Sequence, residues 1–248
     1  MPVSYKNFLQ EIIMKKLLFT LATLSGLSFN SFATNSGSTP IPPVPAQYAA
    51  DAATCQAQNA LLLVGTVQAA PVYVGSKSIQ PLVDNGKPES QGILLSHSHI
   101  LVQPLGDSNP SDAYEIAADN VFATGYDQAQ PKNLVPAPLA NLAAGQVIEA
   151  CGLTYSQTPF KSGSVFNANN GIHWVHANDQ PINPGHTTNG WLKLVDQSGT
   201  TGENLEGSAE YFCLWHSPST NCNLPADAPL VPYAPHTFPI AKAGIFPW

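Results

Sequence analysis

The chain has 248 residues, with nine lysines, no arginine and 16 acidic residues, for a formal charge of −7. Phosphate-rich partners are gripped by Lys and above all by bidentate Arg, so this balance weighs against nucleic acid and against anionic membrane surfaces. The length suits one domain with extensions, or two small ones.

In chain order, Met14-Lys15-Lys16, the apolar run 17–27 and Ser31-Phe32-Ala33 read as the n-region, h-region and cleavage site of a signal peptide over 1–33. The apolar run is about a dozen residues, whereas a spanning helix needs roughly 20. Glu11 is out of place in a basic n-region, which points to translation from Met14. No Cys stands at the junction, so a lipid anchor is not expected. Removing the leader leaves about 215 residues starting near Thr34, with six lysines against 15 acids, a balance of −9. The expected location is periplasmic or secreted.

Residues 34–47 are Pro- and Ser-rich and read as an extended linker. An Ala-rich stretch over 48–59 predicts a short helix carrying Cys55. Apolar, β-branched runs at 60–69, 72–74, 92–105, 113–117, 146–155, 171–177 and 191–195 then predict strands. Ala/Leu-rich 135–144 predicts a helical turn before Gly145. Strand, long strand, strand, short helix, Gly-initiated strand, final strand is the order of a small OB-like Greek-key β-barrel, here over 48–198. A sandwich with the same strand count is the competing topology. Residues 199–248 form a Cys-containing, Pro- and aromatic-rich C-terminal extension, expected to run along the barrel as extended chain.

Four cysteines, Cys55, Cys151, Cys213 and Cys222, in an exported chain predict disulfides, with three connectivities formally open. The short spacing favours a Cys213–Cys222 closure, which leaves Cys55 to pair with Cys151. A four-Cys zinc site lacks C-x-x-C spacing.

Histidine carries the candidate chemistry. His97 and His99, two apart on a strand, point to one face, as a strand presents two imidazoles to one metal. The preferred and simpler reading puts one at the barrel rim and the other in solvent. Residues 171–179 (GIHWVHAND) form the densest polar-aromatic stretch. In a regular strand His173 and His176 face opposite sides and share a metal only across a bulge. With His97 and His186 they make up the candidate metal set, for zinc or another transition metal, with Asp179 as a further ligand or an orienting partner. Trp174, Asp179 and Trp191 are the candidate ligand-binding residues. The competing reading makes both tryptophans core and bonds both histidines to backbone.

G-x-S-x-G, H-E-x-x-H, P-loop and G-x-G-x-x-G signatures are missing from the sequence. His97, His173, Trp174, His176, His186, Gly190 and Trp191 together resemble the H-W-x-H … G-W-L signature of a family of small exported bacterial proteins of unknown function, over roughly 61–194. The resemblance implies an OB-like barrel and an extracytoplasmic location. Two departures bear on any metal site: Ala177 stands where that family has a further His, and residues are inserted between His176 and His186.

The reading that follows is an exported module that binds a metal ion, a small molecule or a glycan. The alternative is a metal-dependent extracytoplasmic hydrolase in which His97, His173 or His176, and His186 hold a zinc with an open position. Lack of Arg disfavours phosphodiesters as its substrate. A third reading makes the C-terminal extension a docking surface for a partner.

Overall fold

The computed structural model describes residues 42–84, 87–156, 165–177, 188–215 and 222–234. The predicted signal peptide, Asp179, His186, His216 and His236 lie outside them.

A turn of 3-10 helix at Ala46–Tyr48 runs into α1 (Ala49–Gln56), which carries Cys55 as predicted. Strands β1 (Leu61–Val67), β2 (Val72–Val74), β3 (Ile79–Asp84), β4 (Lys87–Leu94), β5 (His97–Pro104) and β6 (Tyr114–Asp119) follow. Two single-turn helices, α2 (Tyr126–Ala129) and α3 (Ala137–Ala140), precede β7 (Val147–Ser156). Strands β8 (Asn170–His173), β9 (Trp191–Val195), β10 (Thr201–Asn204) and β11 (Leu230–Pro232) complete the described chain.

β1 pairs antiparallel with β5 on one edge and with β7 on the other. β5 pairs antiparallel with β6, β6 runs parallel to β8, and β8 returns antiparallel to β7. The ring β1-β5-β6-β8-β7 is therefore a closed five-stranded barrel, mainly β as the strand order predicts, with α3 lying between its third and fourth strands. Closure removes the edges that an open sheet would expose. β9 adds to the outer edge of β7, and β10 pairs with β9.

Alternation along each strand sends Leu63, Ile100, Val102, Ile116, Ile148, Ala150 and Ile172 into the barrel, where they are fully buried. Burying one such large aliphatic side chain contributes about 1.5–3 kcal/mol. The residues between them point out of the barrel, and they are the ones that form the site.

The run 92–105 is not one strand. It breaks at Leu95 and Ser96: β4 leaves for a separate three-stranded sheet, β11-β4-β3, and β5 stays in the barrel. Hydropathy continues across the break, but the hydrogen bonds do not. Leu95 N–H donates to Ser78 O at 2.9 Å, Tyr126 Oη donates to Leu94 O at 2.6 Å, and Ser96 O accepts from Asn120 N–H at 3.0 Å. The β3/β4 hairpin was hidden in the sequence by its prolines and polar residues.

Beneath the second sheet lies a cluster of Ile93, Val121, Phe122, Tyr126, Tyr211 and Leu214. The C-terminal extension thus contributes more than extended surface chain. β10 pairs with β9 and β11 with β4 of the second sheet, and Glu206 and Tyr211 are fully buried. Both disulfides take the predicted pairing, Cys55–Cys151 across 96 residues and Cys213–Cys222 across nine. Among the described residues no helix is long and apolar enough to cross a membrane.

Candidate functional site

On β5, Ile100 and Val102 face the barrel interior, so His97 and His99 face outward. On β6 the same alternation puts Glu115, Ala117 and Asp119 on the outer face, and the register sets Asp119 directly opposite His97. Their side chains meet at 2.7 Å, His97 Nε2 to Asp119 Oδ1. His99 turns along the strand to Glu115 and binds it through Nδ1. The two imidazoles share a face, with ring centroids 6.3 Å apart, yet each is held by its own carboxylate. Neither stands in open solvent, so the rim-and-solvent expectation does not hold.

Glu115 is fully buried and also accepts the main-chain N–H groups of Val165 at 2.9 Å and Phe166 at 3.2 Å. It therefore anchors that segment to the outer wall of the barrel. At the start of β5, Asn120 Nδ2 donates to Ser96 Oγ at 3.0 Å while Ser98 Oγ donates to Asn120 Oδ1, and Ser96 also bonds Gln130. These buried bonds tie the residues flanking His97 to the residue after Asp119. They hold the pair in register.

β8 ends at His173, and Trp174 adopts a left-handed conformation with φ 58°. For a bulky aromatic residue this is strained backbone, at a cost of about 1–3 kcal/mol. It is sustained by close packing: a Cβ on Gly190 would come within 2.1 Å of the Trp174 carbonyl oxygen. The turn swings His176 back toward the face that carries His173. A regular strand would have separated them.

His176 is buried. Its Nδ1 donates to the Ala177 carbonyl at 2.8 Å, its ring stacks on Phe122 at 4.0 Å, and Nε2 points at Asp119 Oδ2 from 3.5 Å. That Nε2 makes no hydrogen bond. Trp174 lies half-buried between the imidazoles, 5.7 Å from His173 and 5.4 Å from His176 by ring centroids; Tyr155 flanks His173 at 5.2 Å. Asp119 is thus approached by His97 from β5 and by His176 from the turn after β8.

Behind this cluster stands Glu206, fully buried, with neither carboxyl oxygen in a hydrogen bond. Its main chain supports the turn, since Ala177 N–H donates to Glu206 O at 3.2 Å. Burial pushes the Glu206 carboxyl well above its ordinary range, and the neighbouring Asp119 charge adds to this. Burial would raise Asp119 too, but the charge and hydrogen bond of His97, with His176 and His173 beyond, outweigh it and hold Asp119 below its usual value. For His97, burial favours the neutral ring, but the Asp119 charge prevails and the group is raised. The two neighbouring carboxyls are pushed in opposite directions, which is the pattern by which two like groups take different tasks.

The structure therefore brings together His97, His173, Trp174 and His176 of the predicted residues, and adds Asp119, Glu206 and Glu115. It leaves Trp191 elsewhere. Trp191 is buried against Tyr48, Cys55 and Cys151, donates its indole N–H to Glu149, and lies under Lys193 Nζ at 4.9 Å. The acidic members could have been found by matching faces: residues 115 and 119 repeat the even spacing of 97 and 99 on the neighbouring strand. Among the described residues, no group of three or more His, Cys, Asp or Glu side chains stands in an arrangement that could hold a metal ion. No family model, no curated protein and no solved structure matches this chain.

Proposed function

We propose that this chain is an exported binding module whose ligand is received by the Asp119 cluster and Trp174 on the outer wall of the barrel. One observation carries the reading. Trp174 is held in a strained backbone conformation that sets a half-buried indole between two imidazoles, beside an ionised carboxylate. Strain of this kind persists only where the surroundings impose it, and it gathers at ligand sites. Export is supported by the leader, by two disulfides and by the resemblance to exported proteins through His97, His173, Trp174 and His176.

The test is a thermal-shift and calorimetric screen of the mature protein against divalent metals and neutral oligosaccharides. A ligand that binds the wild type should lose at least about tenfold in affinity, about 1.4 kcal/mol, in Trp174→Ala and in Asp119→Asn. Unchanged affinity in both variants would remove the site.

A second reading, a metal-dependent hydrolase, draws on the opposite shifts of the Glu206 and Asp119 carboxyls, a pair suited to an acid and a base. Equal inertness of chelated and metal-loaded protein toward phosphodiester, ester and peptide substrates would end it.

A further inference from the structure

We infer that the ligand of this cluster is a neutral saccharide, whose ring lies against the Trp174 indole while its hydroxyls donate to Asp119. The inference rests on the binding reading above and deepens it by naming the class of ligand.

Three rings that keep part of their surface in solvent stand in a row on the outer wall: Tyr155, His173 and Trp174, with centroids 5.2 and 5.7 Å apart. Their planes cross at 74° and 60°, so they meet edge to face and not as a closed stack. The face of an aromatic ring is its negative side. The C–H groups along one side of a sugar ring are made slightly positive by the oxygens beside them, and so complement that face. His176 joins this row to the polar half of the site: its ring lies 5.4 Å from Trp174 and its Nε2 lies 3.5 Å from Asp119 Oδ2.

That polar half accepts hydrogen bonds. Asp119 keeps 19% of its side chain exposed, and its Oδ1 meets His97 Nε2 at 2.7 Å. The Nδ1–H of His176 is committed to the Ala177 carbonyl, so in the neutral ring Nε2 is itself an acceptor and gives Asp119 Oδ2 no proton. Oδ2 therefore calls for a donor from a ligand. An anion would meet the Asp119 charge with no lysine beside it, since the groups whose charges hold that carboxyl down are His97, His176 and His173, and the chain has no arginine. A cation finds the same charge already answered by the hydrogen-bonded His97, and a metal ion finds no three donors arranged around it among the described residues. A neutral ligand rich in hydroxyls meets neither obstacle. Carboxylates accept from O–H groups, aromatic side chains line ligand sites beside a few such polar groups, and OB-type barrels bind oligosaccharides.

The experiment titrates the purified mature chain, disulfides intact, with cellohexaose, xylohexaose, maltohexaose and chitohexaose, following tryptophan emission and heat. Oligogalacturonate, choline and Zn²⁺ are run beside them as an anionic, an organic-cationic and a metal probe. The expected result is saturable binding of at least one neutral hexasaccharide, with a blue shift in emission and no effect of a chelator. Its affinity should fall about tenfold or more in Trp174→Ala and in Asp119→Asn, and stay unchanged in Trp191→Phe. If circular dichroism shows that Trp174→Ala fails to fold, Trp174→Gly replaces it, because glycine suits the left-handed turn. If no neutral hexasaccharide binds while one of the other three probes binds and depends on Trp174 and Asp119, the saccharide inference is overturned and the binding reading stands. A hexasaccharide that binds all variants with equal affinity overturns the inference as well, since its site is then elsewhere. If no probe of any class depends on these residues, both readings fail.

Discussion

The barrel has two outer faces built on the same wall, and they are finished in opposite ways. Over β1, β7 and β9 the wall is sealed by α1 and the Cys55–Cys151 bridge, around Tyr48, Leu62, Val64, Val195 and Trp191. One buried carboxyl there, Glu149, is capped by the Trp191 indole. Over β5, β6 and β8 the wall carries His97, His99, Glu115, Asp119 and His173, and irregular segments cover it: the Val165–Phe166 anchor, the Trp174 turn and the chain at Glu206. The first face is closed by apolar contact and a covalent staple. The second is closed around polar groups, two of which, His176 Nε2 and the Glu206 carboxyl, have no hydrogen bond. Buried groups left in that state destabilise the fold by about 1–3 kcal/mol each; the first face holds one such atom, Glu149 Oε2, but they gather on the second, which points to that face as the site of function.

The comparison breaks most readily at the staple. In the chain-entropy account, a bridge closing 96 residues stabilises by about 4.7 kcal/mol and one closing nine by about 2.6. Urea unfolding of Cys55→Ala/Cys151→Ala against Cys213→Ala/Cys222→Ala should therefore show the larger loss for the first pair; equal losses would mean that α1 seals its face without help from the bridge. Next in size is Gly190→Ala, which drives a Cβ into the Trp174 carbonyl. The obstacle is backbone, which yields little, and we expect a loss of about 3 kcal/mol together with loss of ligand binding. A smaller change, Trp191→Phe, leaves the buried Glu149 carboxyl without its donor and should cost about 1–3 kcal/mol while ligand affinity stays constant. A fall in affinity would show that the two faces are coupled through the barrel.

These contrasts also mark what could be read from the sequence. The barrel was legible because its strands are apolar, β-branched runs set between turn residues, as in 113–117 and 146–155, and because Gly145 and the short helix before it punctuate the chain where the fold turns. Both disulfides followed from spacing. The site was half legible. His97, His173, Trp174 and His176 announced themselves by residue type, but the reason they converge did not. That reason is the left-handed Trp174, which reverses the facing that strand periodicity assigns to His176, and no local signal marks it because a bulky aromatic residue is the least expected occupant of such a conformation. Asp119 was legible only once β5 and β6 were set side by side, and Glu206 was not legible at all. They join the cluster through strand register and through a main-chain contact across the turn, both of which are long-range.

The finest distinction between the faces lies in how each treats its buried carboxyl at different pH. Burial raises Glu149 first, and Asp51 adds to the shift; the Trp191 N–H and the Lys193 charge offset it only in part. The folded protein therefore holds this proton more tightly than the unfolded chain does. Its contribution to stability is present below the ordinary carboxyl value and falls as pH rises through the raised one. Glu149→Gln has nearly the same shape and still accepts from Trp191, but it carries no charge at any pH. Thermal unfolding of wild type and variant from pH 4 to 8 should show the two close together at the acid end and the variant ahead by up to about 3 °C at neutrality. A constant difference across that range would show that Glu149 holds its proton no more tightly in the fold than in the unfolded chain, and that burial on this face leaves no pH-dependent contribution to stability.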